Sequence, residues 1–168
     1  MIYFSAGAII NCGEKQPAKI ESFKINHNTL TEGIYISRTD GDIVTYDLRT
    51  RRPNKGDYMD NVTMHSVEHM IATYIRSSEI GENVIYFGPM GCRTGFYLLV
   101  RDSVSPGAVL TALKGALKST VDHAGGVFGA SAEECGNYRE LSIGAAKREC
   151  ARFLDILNEK TQTFKYAD

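Results

Sequence analysis

No C-x-x-C pair, no sustained stripe of Lys or Arg, no apolar stretch long enough to span a bilayer and no internal repeat occurs in these 168 residues. Each absence removes a class of protein. Without C-x-x-C spacing or a secretory signal, Cys12, Cys92, Cys135 and Cys150 do not read as a disulfide framework, and a reducing cytoplasm is the expected location. The opening Met1–Asn11 is mildly apolar but has no basic flank, so it reads as neither a signal peptide nor a membrane span. Nineteen basic residues against twenty acidic ones give a formal net charge of −1, which argues against nucleic acid as a partner. What remains is a chain with 43% hydrophobic residues, enough for one domain with its own core.

The expected organisation is a leader over residues 1–18 followed by a single domain over 19–168. Ile20–His27 alternates and is expected as a strand; Ile34–Arg38 and Ile43–Arg49 are clearer strands around Thr39-Asp40-Gly41-Asp42, a hairpin turn. Val44, Tyr46 and Leu48 then share one side of their strand, and Thr45, Asp47 and Arg49 the other. Pro53–Gly56 breaks the pattern as a loop. Met64, Val67, Met70, Ile71, Tyr74 and Ile75 recur at helical spacing and predict a helix over Asn61–Ser78. Val84–Phe87 and Gly95–Arg101 are expected as buried strands around a glycine-rich turn. Ser105-Pro106 starts a second helix that ends near Gly125-Gly126, and Leu141–Asn158 forms a third with Cys150 on its apolar stripe. Strands and helices mix without βαβ alternation. The fold class expected is therefore α+β, helices packed on a largely antiparallel sheet.

His65-Ser66-Val67-Glu68-His69 is H-x-x-E-H on the first helix. At about 100° per residue, His65, Glu68 and His69 share one narrow face, which Ala72 and Arg76 extend. Two imidazoles one turn apart can grip a first-row metal ion, with a carboxylate beside them to move protons. The bland alternative is an amphipathic helix whose polar side merely happens to hold two histidines and a glutamate. Spacing does not choose a third ligand. Cys150 falls on an apolar stripe, Cys12 in the leader, and His123 after a helix end where it can act as a cap. Cys92 and Cys135 both remain open as ligand or acid–base group.

Taken together, several stretches resemble the S-ribosylhomocysteine lyase (LuxS) family from about Glu21 to Leu157. They are Ser22-Phe23, Asn26-His27, Tyr46-Asp47-Leu48-Arg49, Arg52-Pro53-Asn54, the H-x-x-E-H itself, Tyr86 to Tyr97 with its P-M-G-C-R-T-G core, and Cys135-Gly136-Asn137-Tyr138. H-x-x-E-H alone is shared with inverted metallopeptidases; followed by the other two motifs in this order, it is highly specific. The resemblance implies a lyase that cleaves the thioether of S-ribosylhomocysteine to homocysteine and 4,5-dihydroxy-2,3-pentanedione, an autoinducer precursor in quorum sensing. It implies one divalent metal on His65, His69 and Cys135, with iron(II) expected and zinc or cobalt able to replace it. Glu68 and Cys92 become the proton-transfer pair. Ser22, His27 and Arg49 match substrate-contacting positions, and Arg76 would meet the homocysteine carboxylate. A homodimer with its active sites at the interface is implied as well. The chain departs from the family pattern in two places: Leu141-Ser142-Ile143 stands where a histidine is common, and the leader adds some sixteen residues. Two other readings, an H-x-x-E-H hydrolase and a non-catalytic protein with a structural metal, are separated from the lyase by substrate and by ligand count.

Overall fold

Four strands and three helices make up the fold in a computed structural model, which describes residue 20 and residues 23–166. The leader expected over 1–18, and Ser22, lie outside the described residues. In chain order the elements are β1 (Gly33–Asp40), β2 (Ile43–Arg49), α1 (Asn61–Arg76), β3 (Val84–Pro89), β4 (Gly95–Arg101), α2 (Pro106–Asp122) and α3 (Ile143–Glu159). The sheet runs β1-β2-β4-β3 with every pair antiparallel, and the helices pack on it, an α+β architecture in one domain.

Of the strand expected over Ile20–His27, the described residues 23–27 form turns instead. The Phe23 amide donates to the Ile20 carbonyl, and the Asn26 side chain captures the Asn28 amide at 3.0 Å. Such a local bond gives the backbone an alternative to pairing in a ladder. Ile20 and Phe23, 54% and 65% exposed, add no core face to favour a strand.

The other elements follow their side chains. Asp40 pairs with Ile43 across a two-residue loop, Gly41-Asp42, and Gly41 at φ +60° occupies the first loop position, which a type II′ turn gives to glycine. Asp60 caps α1 by accepting the Thr63 amide at 2.7 Å; Ser105 and Ser142 cap α2 and α3 in the same way. Tyr46 and Leu48 from β2, and Phe96, Leu98 and Val100 from β4, form the sheet side of the core. Val67, Met70, Ile71 and Ile75 of α1 meet them, joined by Leu113 and Leu117 of α2 and by Ala146, Cys150, Phe153 and Leu157 of α3. Each large apolar side chain so withdrawn from water contributes about 1.5–3 kcal/mol. Cys150 is an interior thiol, as its place on the stripe predicts, and burial pushes its pKa up to about 12. Leu141, at the position where a histidine is common in the family, packs partly buried against this core.

Two features bind the loops to this frame. A carbon added at Gly95 would lie 2.4 Å from the Leu48 carbonyl oxygen, so β4 approaches β2 in a way only glycine permits. Arg51, just after β2, grips Glu149 of α3 with two bonds, Nε to Oε1 at 3.1 Å and Nη2 to Oε2 at 2.5 Å. Glu149 is only 3% exposed, and this bidentate pair ties the segment leading into α1 to the last helix.

The far side of β2 is also closed. Thr45, Asp47 and Arg49, which alternate away from the helices, are all buried, with Asp47 1% and Arg49 2% exposed.

Candidate active site

The helical spacing of His65, Glu68 and His69 puts them on the side of α1 turned away from the apolar residues that meet the sheet, and all three are half-buried. The imidazoles stand edge to face, with ring centroids 4.7 Å apart and planes at 85°. His69 Nδ1 lies 2.8 Å from the Phe128 carbonyl oxygen. A carbonyl only accepts, so Nδ1 carries the proton and Nε2 is left with its lone pair free to bind a metal. Gly129, at φ +65°, follows immediately; a side-chain carbon there would come within 3.3 Å of His69 Nδ1.

The loop after α2 that carries Phe128 is itself fastened. His123 occupies the C-cap of α2, as its position predicts. Its Nε2 donates to Gly126 O at 2.9 Å, and in the neutral ring its Nδ1 accepts the Tyr74 hydroxyl at 2.8 Å. Farther along, Cys135 returns to the helix and places Sγ 3.3 Å from His65 Nε2. The Asn137 amide points at the same sulfur from 3.4 Å.

Donor atoms of His65, His69 and Cys135 all lie within 4.8 Å of one another, the group among the described residues able to hold a metal ion. Two imidazole nitrogens and one sulfur suit zinc, iron or cobalt, and three protein donors leave a position for an outside ligand. Of the two cysteines that spacing left open, Cys135 joins this group. Glu68 and His69 line an open groove with Ala72, Thr73, Phe128, Gly129 and Glu134. Arg76 is exposed at the end of α1, its Nη1 3.4 Å from the Ala72 carbonyl.

Cys92 belongs to a second cluster. The β3–β4 hairpin turns through Arg93 in a left-handed conformation, φ +61°, with the Met90 amide bonded to Gly95 O at 2.9 Å. This strained turn, with the Arg93 guanidinium set over the Tyr58 ring at 5.8 Å, brings Cys92 Sγ to 3.1 Å from Thr94 Oγ1. Cys92 is exposed, Thr94 buried. Arg49 reaches both, Nη1 lying 2.6 Å from Thr94 Oγ1 and 3.7 Å from the sulfur. Its Nη2 binds Asp47 Oδ2 at 2.6 Å.

Burial pushes the Asp47 carboxyl above the usual range, opposed by Arg49 and by hydrogen bonds from Arg49 and Tyr166. Burial also works against the charge on Arg49, yet Asp47 and Cys92 hold its pKa above the ordinary value. A guanidinium does not give up its proton here, so the two form an ion pair. His27 Nδ1 donates to Ile25 O at 2.9 Å. Among the residues named from sequence, Arg49 and Cys92 thus come together, and Ser22 is outside the described residues. Asp47, Thr94 and Tyr166 were not singled out. Asp47 and Arg49 do share a strand face two residues apart, a signal that was available; nothing local marks Tyr166.

The sequence model of the S-ribosylhomocysteinase (LuxS) family matches residues 20–164. The chain is 39% identical over 154 residues to the S-ribosylhomocysteine lyase of Borreliella afzelii (strain PKo), an alignment covering 88% of this chain and 98% of that protein. It is 40% identical over 144 residues to the S-ribosylhomocysteine lyase of Finegoldia magna, covering 83% and 92%. The S-ribosylhomocysteine lyase of Clostridium beijerinckii is 41% identical over 150 residues, covering 86% and 94%.

Proposed function

Because the chain belongs to the S-ribosylhomocysteinase (LuxS) family, we infer that it is an S-ribosylhomocysteine lyase, releasing homocysteine and 4,5-dihydroxy-2,3-pentanedione. The observation that carries the chemistry is the pairing, in one fold, of a His-His-Cys metal group beside Glu68 with an exposed thiol beside a guanidinium.

The substrate's sulfur sits on C5 of a ribose that opens to an aldehyde, and a thioether leaves readily only when a carbonyl stands two bonds away. Moving a proton from C2 to C1 shifts the carbonyl from C1 to C2, and moving one from C3 to C2 shifts it on to C3. The C4 proton is then acidic, and its removal expels homocysteine thiolate from C5. Bound to His65, His69 and Cys135, a divalent ion would supply Lewis acidity toward the sugar oxygens. Glu68, beside the two imidazoles, would carry protons among oxygens and neighbouring carbons. Cys92 would act from the opposite side of the sugar, with the Arg49 cation at its sulfur and Thr94 fixing the thiol's direction. His27, Arg49 and Ser22 would contact the substrate, and Arg76 its carboxylate. Iron(II) is the native metal in this scheme, with zinc or cobalt as substitutes.

The active unit proposed is a cytoplasmic homodimer in which the Cys92 cluster of one subunit faces the metal ligands of its partner. Two observations support this. Arg49 and Asp47 project from the sheet face opposite the one α1 covers, and the hydrogen bonds of each cluster stay on its own side. Cys92, Cys135 and Cys150 are free thiols, and among the described residues no helix is long and apolar enough to cross a membrane.

The test is a free-thiol assay on S-ribosylhomocysteine with anaerobically purified, metal-analysed protein. Homocysteine should appear in step with substrate loss. New amines from a peptide pool, without thiol from S-ribosylhomocysteine, would mean a hydrolase instead. Mixing inactive Cys92→Ala and His69→Ala proteins tests the shared site: a mixed dimer then has one intact site, and activity should return. If mixing restores nothing, each chain builds its own.

A further inference from the structure

Residues 160–166 continue past α3 along the outer edge of β1. Gln162 Oε1 accepts the Ile34 amide at 3.2 Å, Phe164 O accepts the Ile36 amide at 2.9 Å, and Phe164 bridges to Tyr35 in parallel. Tyr166 then lays its ring on Tyr35, centroids 4.9 Å apart and planes within 7°, and its hydroxyl donates to Asp47 Oδ2 at 3.0 Å. The same carboxylate oxygen already takes the 2.6 Å bond from Arg49 Nη2.

Among the described residues, two buried atoms beside this junction have no partner: Asp47 Oδ1 and Arg49 Nε. An arginine and a carboxylate ordinarily close as a fork, with two parallel bonds. Here the fork stays half open. Tyr166 pulls Asp47 Oδ2 from one side, while Thr94 and Cys92 hold Arg49 Nη1 from the other. We propose that Tyr166 is a positioning residue for Cys92: its hydroxyl keeps Asp47 from closing a two-bond fork on Arg49, so one arm of the guanidinium stays against the Cys92 sulfur. The family match ends at residue 164, so it assigns no role to this hydroxyl. Without it, Asp47 can turn, pair Oδ1 with Nε, satisfy both orphaned atoms and draw the guanidinium off the thiol.

The proposal rests on the catalytic role given to Cys92 above, and the experiment separates the two. Tyr166→Phe keeps the ring stack and removes only the hydroxyl. In the metal-loaded protein, alkylation of Cys92 by iodoacetamide, an uncharged reagent, is followed by mass spectrometry at that residue, with kcat and KM for S-ribosylhomocysteine measured in parallel. Alkylation should slow about threefold to tenfold, the net worth of one typical hydrogen bond, with kcat falling in step and melting temperature and metal content unchanged. Slowed alkylation with unchanged kcat would uphold the link from Tyr166 to Cys92 and count against Cys92 as the proton carrier. Wild-type alkylation in Tyr166→Phe, with Tyr166→Ala only lowering the melting temperature, would overturn the proposal and leave the segment a structural strap.

Discussion

His65, His69 and Cys135 hold their donor atoms together half-open to the outside, whereas Asp47 and Arg49 close on each other in the interior at 2.6 Å. The metal corner is built from two adjacent helical turns and one loop, and it offers three donors that could hold an ion. The thiol corner is built from strand, hairpin and the segment beyond α3, and it satisfies most of its charge internally. One corner is therefore structurally inexpensive to alter; the other is tied into the stability of the fold.

Exchanging one sulfur in each corner breaks the comparison most sharply. Cys92→Ala should lower homocysteine release by about 10²–10⁴, the usual range for a lost general acid or base, while metal content stays at the wild-type level. Cys135→Ala should lose the metal itself, which elemental analysis will read directly. The next largest effect falls on stability. Asp47→Asn leaves Arg49 buried without its counter-charge and should cost about 3–5 kcal/mol in a denaturant melt. Glu68→Gln, at a half-buried position, should leave stability within about 0.5 kcal/mol while abolishing turnover. Equal destabilisation by both would erase the distinction between the corners.

Cys150 serves as a reference thiol for both. Burial raises its pKa from 9.0 to about 12, so the folded protein keeps a proton that the unfolded chain releases. Its contribution is intact below pH 9 and declines as pH rises toward 12, by about 1.4 kcal/mol per unit. Burial raises Tyr46, Tyr97 and Tyr166 in the same direction, so the thiol's share is the part of the alkaline loss that disappears in Cys150→Ala. The smallest effect is at the start of α1. Asp60→Ala should cost about 1 kcal/mol by urea titration at neutral pH. The Thr63 hydrogen bond holds the Asp60 carboxyl below the usual range, so this support is present above that range and lost as pH falls through the lowered value.

The metal corner was the more legible in sequence, because His65, Glu68 and His69 are related by helical spacing alone. The third member of the group was not, since Cys135 meets His65 across 70 positions and residue spacing treated Cys92 as its equal. Helices and hairpins were readable from capping residues and periodicity, down to Ser105-Pro106 and Gly41. The segment at Ile20–His27 misled because its alternation meets no partner strand among the described residues, while Asn26 offers the backbone a turn. The closed far face of β2 was beyond reach for a different reason. Tyr166 touches Asp47 over a separation of 119 residues, and no periodicity in either neighbourhood encodes that contact.

Arg93 shows what this arrangement implies for anyone wishing to make the protein hardier. Its backbone rests in a well that glycine enters freely and arginine does not, so Arg93→Gly is an attractive stabilising change of about 1 kcal/mol. The same change lets go of Tyr58 and slackens the hairpin that carries Cys92, for which the proton-transfer role is proposed. At this position toughness and chemistry compete for a single residue, and a screen for heat resistance alone would select the duller enzyme.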